Sequence, residues 1–586
     1  MTMLIFIIAK VVFMLYNSSQ VYSGHDILTV LWNGLSLDFS TSLYIIIVPF
    51  LVCAVSIWLG GIKTLRIIVR VYYLLIAIAM TLAFVADTSL YEFWLFKLDS
   101  SCLQYLETPT EAMASVSLGY IVIRFIVIAI VSYIIWWAYT HPHWRITPSN
   151  HRITESIVAL LCIPVIIIGI RGGLGESTTN IGQVYFSQNQ FLNHSAVNPV
   201  FNFIDSFDKA DAYYSFMSDD ECSKIMSDLY NTQSINCDTL LNTQNPNIII
   251  ILLEGCGGEF TEIGGRTDIT PNLNKLAKEG IYFTNCYGNT WRTDRGTVCA
   301  LSGYPSFPTM SVMKIPSKSR SLPNIARTLQ KERGYNTSYI YGGDINFTNM
   351  RSYLISGGFE NLTWMKDYSA EEQKTAQWGV RDDITFKTLY QMATNTKQPF
   401  LIGFSTLSSH SPWDVPIHHF DDEVINSFYY LDQCIGDFIQ KLRKSAAWKN
   451  TLVVMLPDHG IPHNGLDETT SLLNHIPMIW VGGAVKVPRK IELVCNQTDL
   501  PATLLGQLGV PHDDFSFSRD VLSATYTHPF ATHTFDNGFS MVDSASFVSF
   551  DFVSNKVIAE EGKRNEQLLT IGKAILQAAS DDLKGR

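Results

Sequence analysis

The first 170 residues hold a succession of long apolar stretches with few charges, centred near Met3–Tyr16, Thr41–Leu59, Ile67–Val85, Leu118–Ala138 and Ile153–Ile170. A backbone in hydrocarbon finds no water to bond. Such a stretch must therefore fold as a helix that satisfies its own N–H and C=O groups. Crossing the hydrocarbon core takes about 20 apolar residues, and most of these stretches approach that length. The first is short and carries Lys10. It reads as a signal peptide or as a retained helix, and the lack of a small-residue cleavage site after Lys10 favours retention. About five transmembrane helices are predicted over residues 1–172.

The connecting loops give the orientation. Lys63, Arg66 and Arg70 follow the second stretch, and Arg145 and Arg152 follow the fourth. The loop between the third and fourth is acidic, with Asp87, Glu92, Asp99, Glu107 and Glu111 against Lys97. Basic loops stay in the cytoplasm, so everything after Ile170 is expected outside. The formal net charge of -11 excludes nucleic acid as a natural partner, because a phosphate binder needs a basic face. The ten cysteines form no CxxC motif. Cys222 and Cys237 share the external region, and their spacing alone does not pair them.

Residues 173–245 read as a polar extracytoplasmic linker with short helices, interrupted by Phe201, Phe203, Phe207, Tyr213, Tyr214 and Phe216. Beyond Asn245 the composition becomes that of a soluble domain. Apolar runs at Asn247–Leu253, Ile281–Cys286, Thr337–Tyr341, Phe400–Ser405, Leu452–Leu456 and Pro477–Val481 predict strands. Helical patterns such as Pro271–Glu279 and Leu322–Arg333 lie between them. Alternation of this kind predicts an α/β domain over residues 246–525 with a parallel sheet covered on both faces. Residues 526–586 hold a turn at Asp536-Asn537-Gly538 and a final helix from Asn565, a small antiparallel appendage.

Three places in this domain suggest chemistry. Asp458 and His459 close the run Thr451–Pro457, so both emerge at the carboxyl edge of a sheet, where open α/β folds place their ligands. Glu254 closes the first strand and is followed by Gly255, Cys256, Gly257 and Gly258. It is either a third ligand or a salt-bridge partner. Thr293, in Arg292-Thr293-Asp294-Arg295-Gly296, precedes a helix-like segment. Its hydroxyl is either an N-cap or a nucleophile activated by a metal beside a helix amino terminus. Thr290 and Thr297 are weaker nucleophile candidates. His463 and His475 lie close enough in sequence to join a second metal or a proton transfer, or to be structural.

Together these segments resemble the lipoteichoic acid synthase family, in the sulfatase-like branch of the alkaline phosphatase superfamily. Trp378-Gly379-Val380-Arg381-Asp382-Asp383, Thr406–Pro412 and Gln497–Leu505 extend the resemblance. It implies one divalent ion held by Glu254, Thr293, Asp458 and His459, with Thr293 becoming a phospho-threonine. It implies that His410 orients or protonates the substrate, and that Asp344 and Arg351 contact a phosphoglycerol headgroup. The sequence departs from the family at Asn349, where an aromatic residue is usual. Two carboxylates, a hydroxyl and an imidazole suit Mn²⁺ or Zn²⁺, with Mg²⁺ also compatible, and Mn²⁺ is the expected ion.

The resemblance thus implies a multi-pass protein of a bacterial inner membrane with an extracytoplasmic or periplasmic catalytic domain. It would be a phosphoglycerol transferase, drawing on phosphatidylglycerol and passing the group to an unidentified hydroxyl acceptor. No Cys/Ser-x-Pro-x-Arg segment follows the first strand, which argues against a sulfatase. A phosphoethanolamine transferase is the alternative, although Glu254-Gly255-Cys256 and Arg292-Thr293-Asp294 match it less well. A non-catalytic scaffold is the third reading, opposed by the retention of all four metal-site residues.

Overall fold

The structure is a computed structural model. It describes the chain except residues 19–21, 60–62, 95–96, 101, 104–116, 142–150, 175–178, 180–183, 185–188, 210–212, 231–233, 236–237, 346 and 564. Cys237 is among these, so the Cys222–Cys237 pairing lies outside the described residues. Two compact units form, one of residues 1–210 with 551–558, the other of residues 211–550 with 559–586.

In the first unit the apolar stretches become α1 (Thr2–Asn17), α2 (Gly24–Leu59), α3 (Lys63–Trp94), α4 (Leu118–Thr140) and α5 (Arg152–Arg171). Four of them, α2 to α5, are long and apolar enough to cross a membrane. All five expected apolar stretches are helical, and α1 is the shortest. The 16 residues of α1 rise about 24 Å at 1.5 Å each, short of the roughly 30 Å hydrocarbon core. Conversely α2, at 36 residues, extends well before its predicted start at Thr41. Lys10, which weakened the first stretch as a span, is buried and paired with Asp38 of α2 at 2.8 Å. Asn198 donates to the other Asp38 oxygen at 2.9 Å. The short helices Gln190–Ala196 and Pro199–Asp205 follow in this unit.

The second unit contains an eight-stranded sheet. Its strands are β1 (Asn247–Leu253), β2 (Ile281–Tyr287), β3 (Asn336–Tyr341), β4 (Asn361–Trp364), β5 (Phe400–Ser405), β6 (Thr451–Pro457), β7 (His475–Val481) and β8 (Arg489–Asn496). Their order is β4-β3-β5-β1-β6-β7-β2-β8. The central β1 pairs in parallel with β5 and β6, in the register Leu253↔Pro457. β7 runs antiparallel to both β6 and β2, which corrects the expectation of a purely parallel sheet. Every residue of β1 and of β6 is buried, as strands covered on both faces must be. Helices Pro271–Glu279, Asp382–Asn395 and Glu423–Arg443 bury apolar faces on one core with β1, β5 and β6.

The tail forms a four-stranded sheet in the order β12-β11-β10-β9, from β9 (Ala531–Phe535), β10 (Gly538–Val542), β11 (Ser546–Asp551) and β12 (Lys556–Gly562). The Asp536-Asn537 turn joins β9 to β10 in antiparallel register. Asn565 caps the last helix, Glu566–Gly585, by accepting from the Gln567 and Leu568 amides.

Candidate metal and nucleophile centre

Because β1 and β6 are parallel neighbours in register, their carboxyl ends lie side by side. That register brings Glu254 against Asp458 and His459. One ligand atom from each of these three residues lies within 4.8 Å of the others, and all three are buried. Gly255, at φ +63°, turns the chain away from the β1 tip, a conformation glycine adopts without strain. Its N–H donates to Asp458 Oδ1 at 3.0 Å, as does the His459 N–H at 2.9 Å. Glu254 is held from behind. Its N–H donates to Thr406 Oγ1 at 2.9 Å, and its carbonyl accepts from Ser409 Oγ at 2.6 Å.

Thr293 is the first residue of the helix Thr293–Ser302, and Arg292 occupies the N-cap position. The Thr293 hydroxyl is therefore not the cap. It donates to Glu254 Oε2 at 3.0 Å and lies 3.4 Å from His459 Nε2. The helix comes close to the β6 tip through Gly296, where a Cβ would sit 2.1 Å from the Asp458 carbonyl oxygen. Glu254, Thr293, Asp458 and His459 thus meet at one point.

The charges are strongly coupled. Burial raises Asp458, the Glu254 charge raises it further, and it titrates at about 7. Burial opposes a charged His459, but Asp458 and Glu254 hold the imidazolium up to about 9. Burial also raises Glu254, but the His459 hydrogen bond and charge outweigh it and bring it to about 2. His459 Nδ1 lies 2.8 Å from the Gly460 carbonyl. A carbonyl only accepts, so Nδ1 carries the proton and the neutral ring turns its Nε2 lone pair towards the carboxylates. Buried carboxylates beside a pre-oriented imidazole lone pair and a hydroxyl fit a divalent cation, and the backbone bond at Nδ1 is the support that metal-ligating histidines need. These donors would accept Mn²⁺, Zn²⁺ or Mg²⁺.

The other candidates separate. His410 Nδ1 bonds the Ser411 carbonyl at 2.8 Å, which leaves Nε2 for chemistry, and its charge favours the ionised Glu254. Trp378 packs on the His410 ring at 4.5 Å, with Phe347 against Trp378 at 5.8 Å. Asp344 lies just beyond the carboxyl end of β3, on the same sheet edge. Arg351 is exposed at the start of the helix Met350–Ser356. These two share the edge without entering the four-residue cluster. His463 is engaged with Asp422 at 2.9 Å, and His475 with the Thr284 carbonyl at 2.8 Å. Thr290 and Thr297 are fully buried. The supports Thr406 and Ser409 went unassigned in the sequence. Their signal was the Thr406–Pro412 segment, which matched the family without revealing that it backs Glu254.

Comparison with known proteins bears on the fold and on the relatives of the chain. The Sulfatase family model matches residues 246–510. Lipoteichoic acid synthase 2 of Bacillus subtilis (strain 168) is 28% identical, over 48% of this chain and 48% of that protein. Phosphoglycerol transferase I of Xanthomonas campestris pv. campestris (strain B100) is 23% identical, over 47% and 43%. The chain spans about half the length of the curated relatives it matches. A solved protein in the alkaline phosphatase superfamily from Vibrio parahaemolyticus superposes with a TM-score of 0.56 at 26% identity, covering 64% of this chain and 98% of that one. The lipoteichoic acid synthase LtaP of Listeria monocytogenes gives 0.51 at 19%, covering 63% and 98%, and shares the fold. Residues 246–510 thus match the Sulfatase family model and share the fold of a solved alkaline phosphatase superfamily protein, in a chain similar to lipoteichoic acid synthases and phosphoglycerol transferases.

Proposed function

We propose that this chain is a membrane-bound, metal-dependent phosphoglycerol transferase. One observation carries the reading: the Thr293 hydroxyl, at a helix amino terminus, lies 3.0 Å from Glu254 and 3.4 Å from His459 in a buried Glu/Asp/His cluster. The similarity to lipoteichoic acid synthases and phosphoglycerol transferases supports the class of group transferred. The donor is phosphatidylglycerol in the outer leaflet of a bacterial inner membrane, and the acceptor is a hydroxyl of an envelope glycan or lipid. The metal is Mn²⁺ in preference to Zn²⁺ or Mg²⁺.

Glu254, Asp458, His459 and Thr293 would hold the metal, which when bound lowers the hydroxyl pKa and offsets charge on the phosphoryl oxygens. Thr293 Oγ1, its proton released to solvent as its pKa falls, attacks phosphorus, with Glu254 staying ionised beside it. The bond from phosphorus to the diacylglycerol oxygen breaks, and His410 Nε2 protonates that oxygen. Phosphoglycerol then rests on Thr293. In the second half the acceptor hydroxyl gives its proton to His410 and attacks phosphorus, and the bond from phosphorus to Thr293 Oγ1 breaks to return the ionised Thr293 oxygen. The free N–H groups at the start of the helix Thr293–Ser302 favour the anionic phosphoryl group throughout. Asp344 and Arg351 bind the glycerol headgroup from the same edge.

The test is diacylglycerol release from fluorescent phosphatidylglycerol by detergent-solubilised protein, with phosphatidylethanolamine in parallel. Release is expected from phosphatidylglycerol with Mn²⁺ and not with chelator. Thr293→Ala should lower it by at least about a thousandfold with the melting temperature kept. Full activity in Thr293→Ala would sink the mechanism, and release from phosphatidylethanolamine alone would make the protein a phosphoethanolamine transferase.

A further inference from the structure

The loop that delivers Thr293 and the strand tip that delivers Asp458 and His459 are far apart in sequence, yet one buried side chain bonds both. Gln497 is fully buried where β8 ends, at the first position of the turn Gln497–Asp499. Its Nε2 donates to the Pro457 carbonyl at 2.9 Å and to the Asp458 carbonyl at 2.8 Å. Its Oε1 accepts from the Asn289 N–H at 3.3 Å. Asn289 lies two residues past β2 and four before Thr293. It is itself buried and fixed, since Nδ2 donates to Asn496 Oδ1 at 2.7 Å and to the Thr532 carbonyl at 2.9 Å. Its Oδ1 accepts from the Ser306 N–H at 2.7 Å.

We infer that Gln497 is a positioning residue, whose side-chain amide fixes the β6 tip carrying Asp458 and His459 against the loop that delivers Thr293. This deepens the reading above and rests on it. Both N–H groups of the amide are spent on neighbouring carbonyls of one strand tip, and its oxygen on the other loop. The Asp458 carbonyl is confined between this amide and the Gly296 backbone, where a Cβ would come within 2.1 Å. The Asp458 side chain is therefore aimed by its own main chain. A fully satisfied buried network of this kind sets geometry sharply. Gln497 bonds main-chain atoms of the metal and nucleophile segments, so its effect on the reaction passes through Asp458, His459 and Thr293.

The test uses the full chain in detergent. Gln497→Met keeps the length of the side chain and removes every bond. It should weaken Mn²⁺ binding, measured by titration calorimetry, by at least about tenfold. At saturating Mn²⁺ it should lower kcat for diacylglycerol release by about a hundredfold, with KM for phosphatidylglycerol within about twofold. Leu504→Ala, in the fully buried face of the helix that follows, is the control for simple destabilisation and should keep wild-type Mn²⁺ affinity. Should Gln497→Met fail to fold, Gln497→Glu replaces it. That variant sets a carboxylate against two carbonyls, so its kcat relative to wild type should rise as pH is lowered and the carboxyl regains a proton to donate. Mn²⁺ affinity and kcat in Gln497→Met no lower than in Leu504→Ala would overturn the inference, as would a flat relative pH profile in Gln497→Glu. A wild-type chain that binds Mn²⁺ but releases no diacylglycerol would remove the proposed reaction and leave this inference to the Mn²⁺ shift. A wild-type chain that binds no divalent cation would overturn both.

Discussion

At His459 a backbone carbonyl decides which nitrogen faces the site, and two carboxylates decide its charge. In the metal-free protein the ring stays protonated up to about pH 9 and Asp458 up to about pH 7. Both values lie above their unfolded counterparts, near 6.5 and 3.9. The raised His459 pKa adds stability below pH 6.5 that is lost as pH rises through 9. The raised Asp458 pKa favours the fold at low pH and costs stability as pH rises from about 4 through 7. Glu254, held at about 2, works the other way, and its contribution is lost only when pH falls through that value. A metal binds the deprotonated set, so protons compete with it. The rise in melting temperature given by a fixed Mn²⁺ concentration over chelator should therefore widen from pH 6 to pH 8. A gap that stays constant would show that Asp458 and His459 do not lose protons to the metal.

At the scale of elements, the site depends on one helix lying against one strand tip. Gly296→Ala places a methyl 2.1 Å from the Asp458 carbonyl, which is backbone and cannot swing aside. The helix Thr293–Ser302 must shift instead. Overpacking of this kind costs about 1–3 kcal/mol, and the shift separates Thr293 from Glu254. Thermal melting should show the loss of stability, and turnover at saturating metal should fall more than stability alone explains. Unchanged turnover would show that the contact tolerates displacement. The same elements explain what was legible in the sequence. Uninterrupted apolar runs marked β1, β5 and β6, because a strand covered on both faces leaves no room for polar residues. The strands β4, only four residues and half-exposed, and β8, with Arg489, Lys490 and Glu492 among its eight, carry no such run. They were missed for that reason. The reversal of β7 was invisible because an apolar run has no direction. Glu254, Asp458 and His459 were readable because they end strands. Gln497 was not, because its partner Asn289 is 208 positions away.

At the scale of the whole molecule, the membrane unit keeps charge inside its helices by pairing it. Lys10 and Asp38 are buried at 2.8 Å, and removing one partner of such a pair costs about 3–5 kcal/mol, while replacing both with apolar groups is often neutral. Lys10→Met alone should therefore lower the melting temperature of the solubilised protein, and Lys10→Met with Asp38→Leu should recover most of it. Recovery would fail if Asp38 were needed chiefly to hold the Asn198 amide. A chain with four membrane-length helices would also meet the proposed lipid donor in two dimensions. The cost of bringing headgroup and Thr293 together is then set by lipid surface density, and bulk concentration drops out once the chain is embedded. In mixed micelles, diluting phosphatidylglycerol with inert detergent at constant bulk lipid should slow release in proportion to its mole fraction, below saturation. Adding more micelles of constant composition should leave the rate unchanged. A rate that followed bulk concentration instead would mean that the catalytic domain captures lipid from outside its own micelle, and that the helices serve only to tether it.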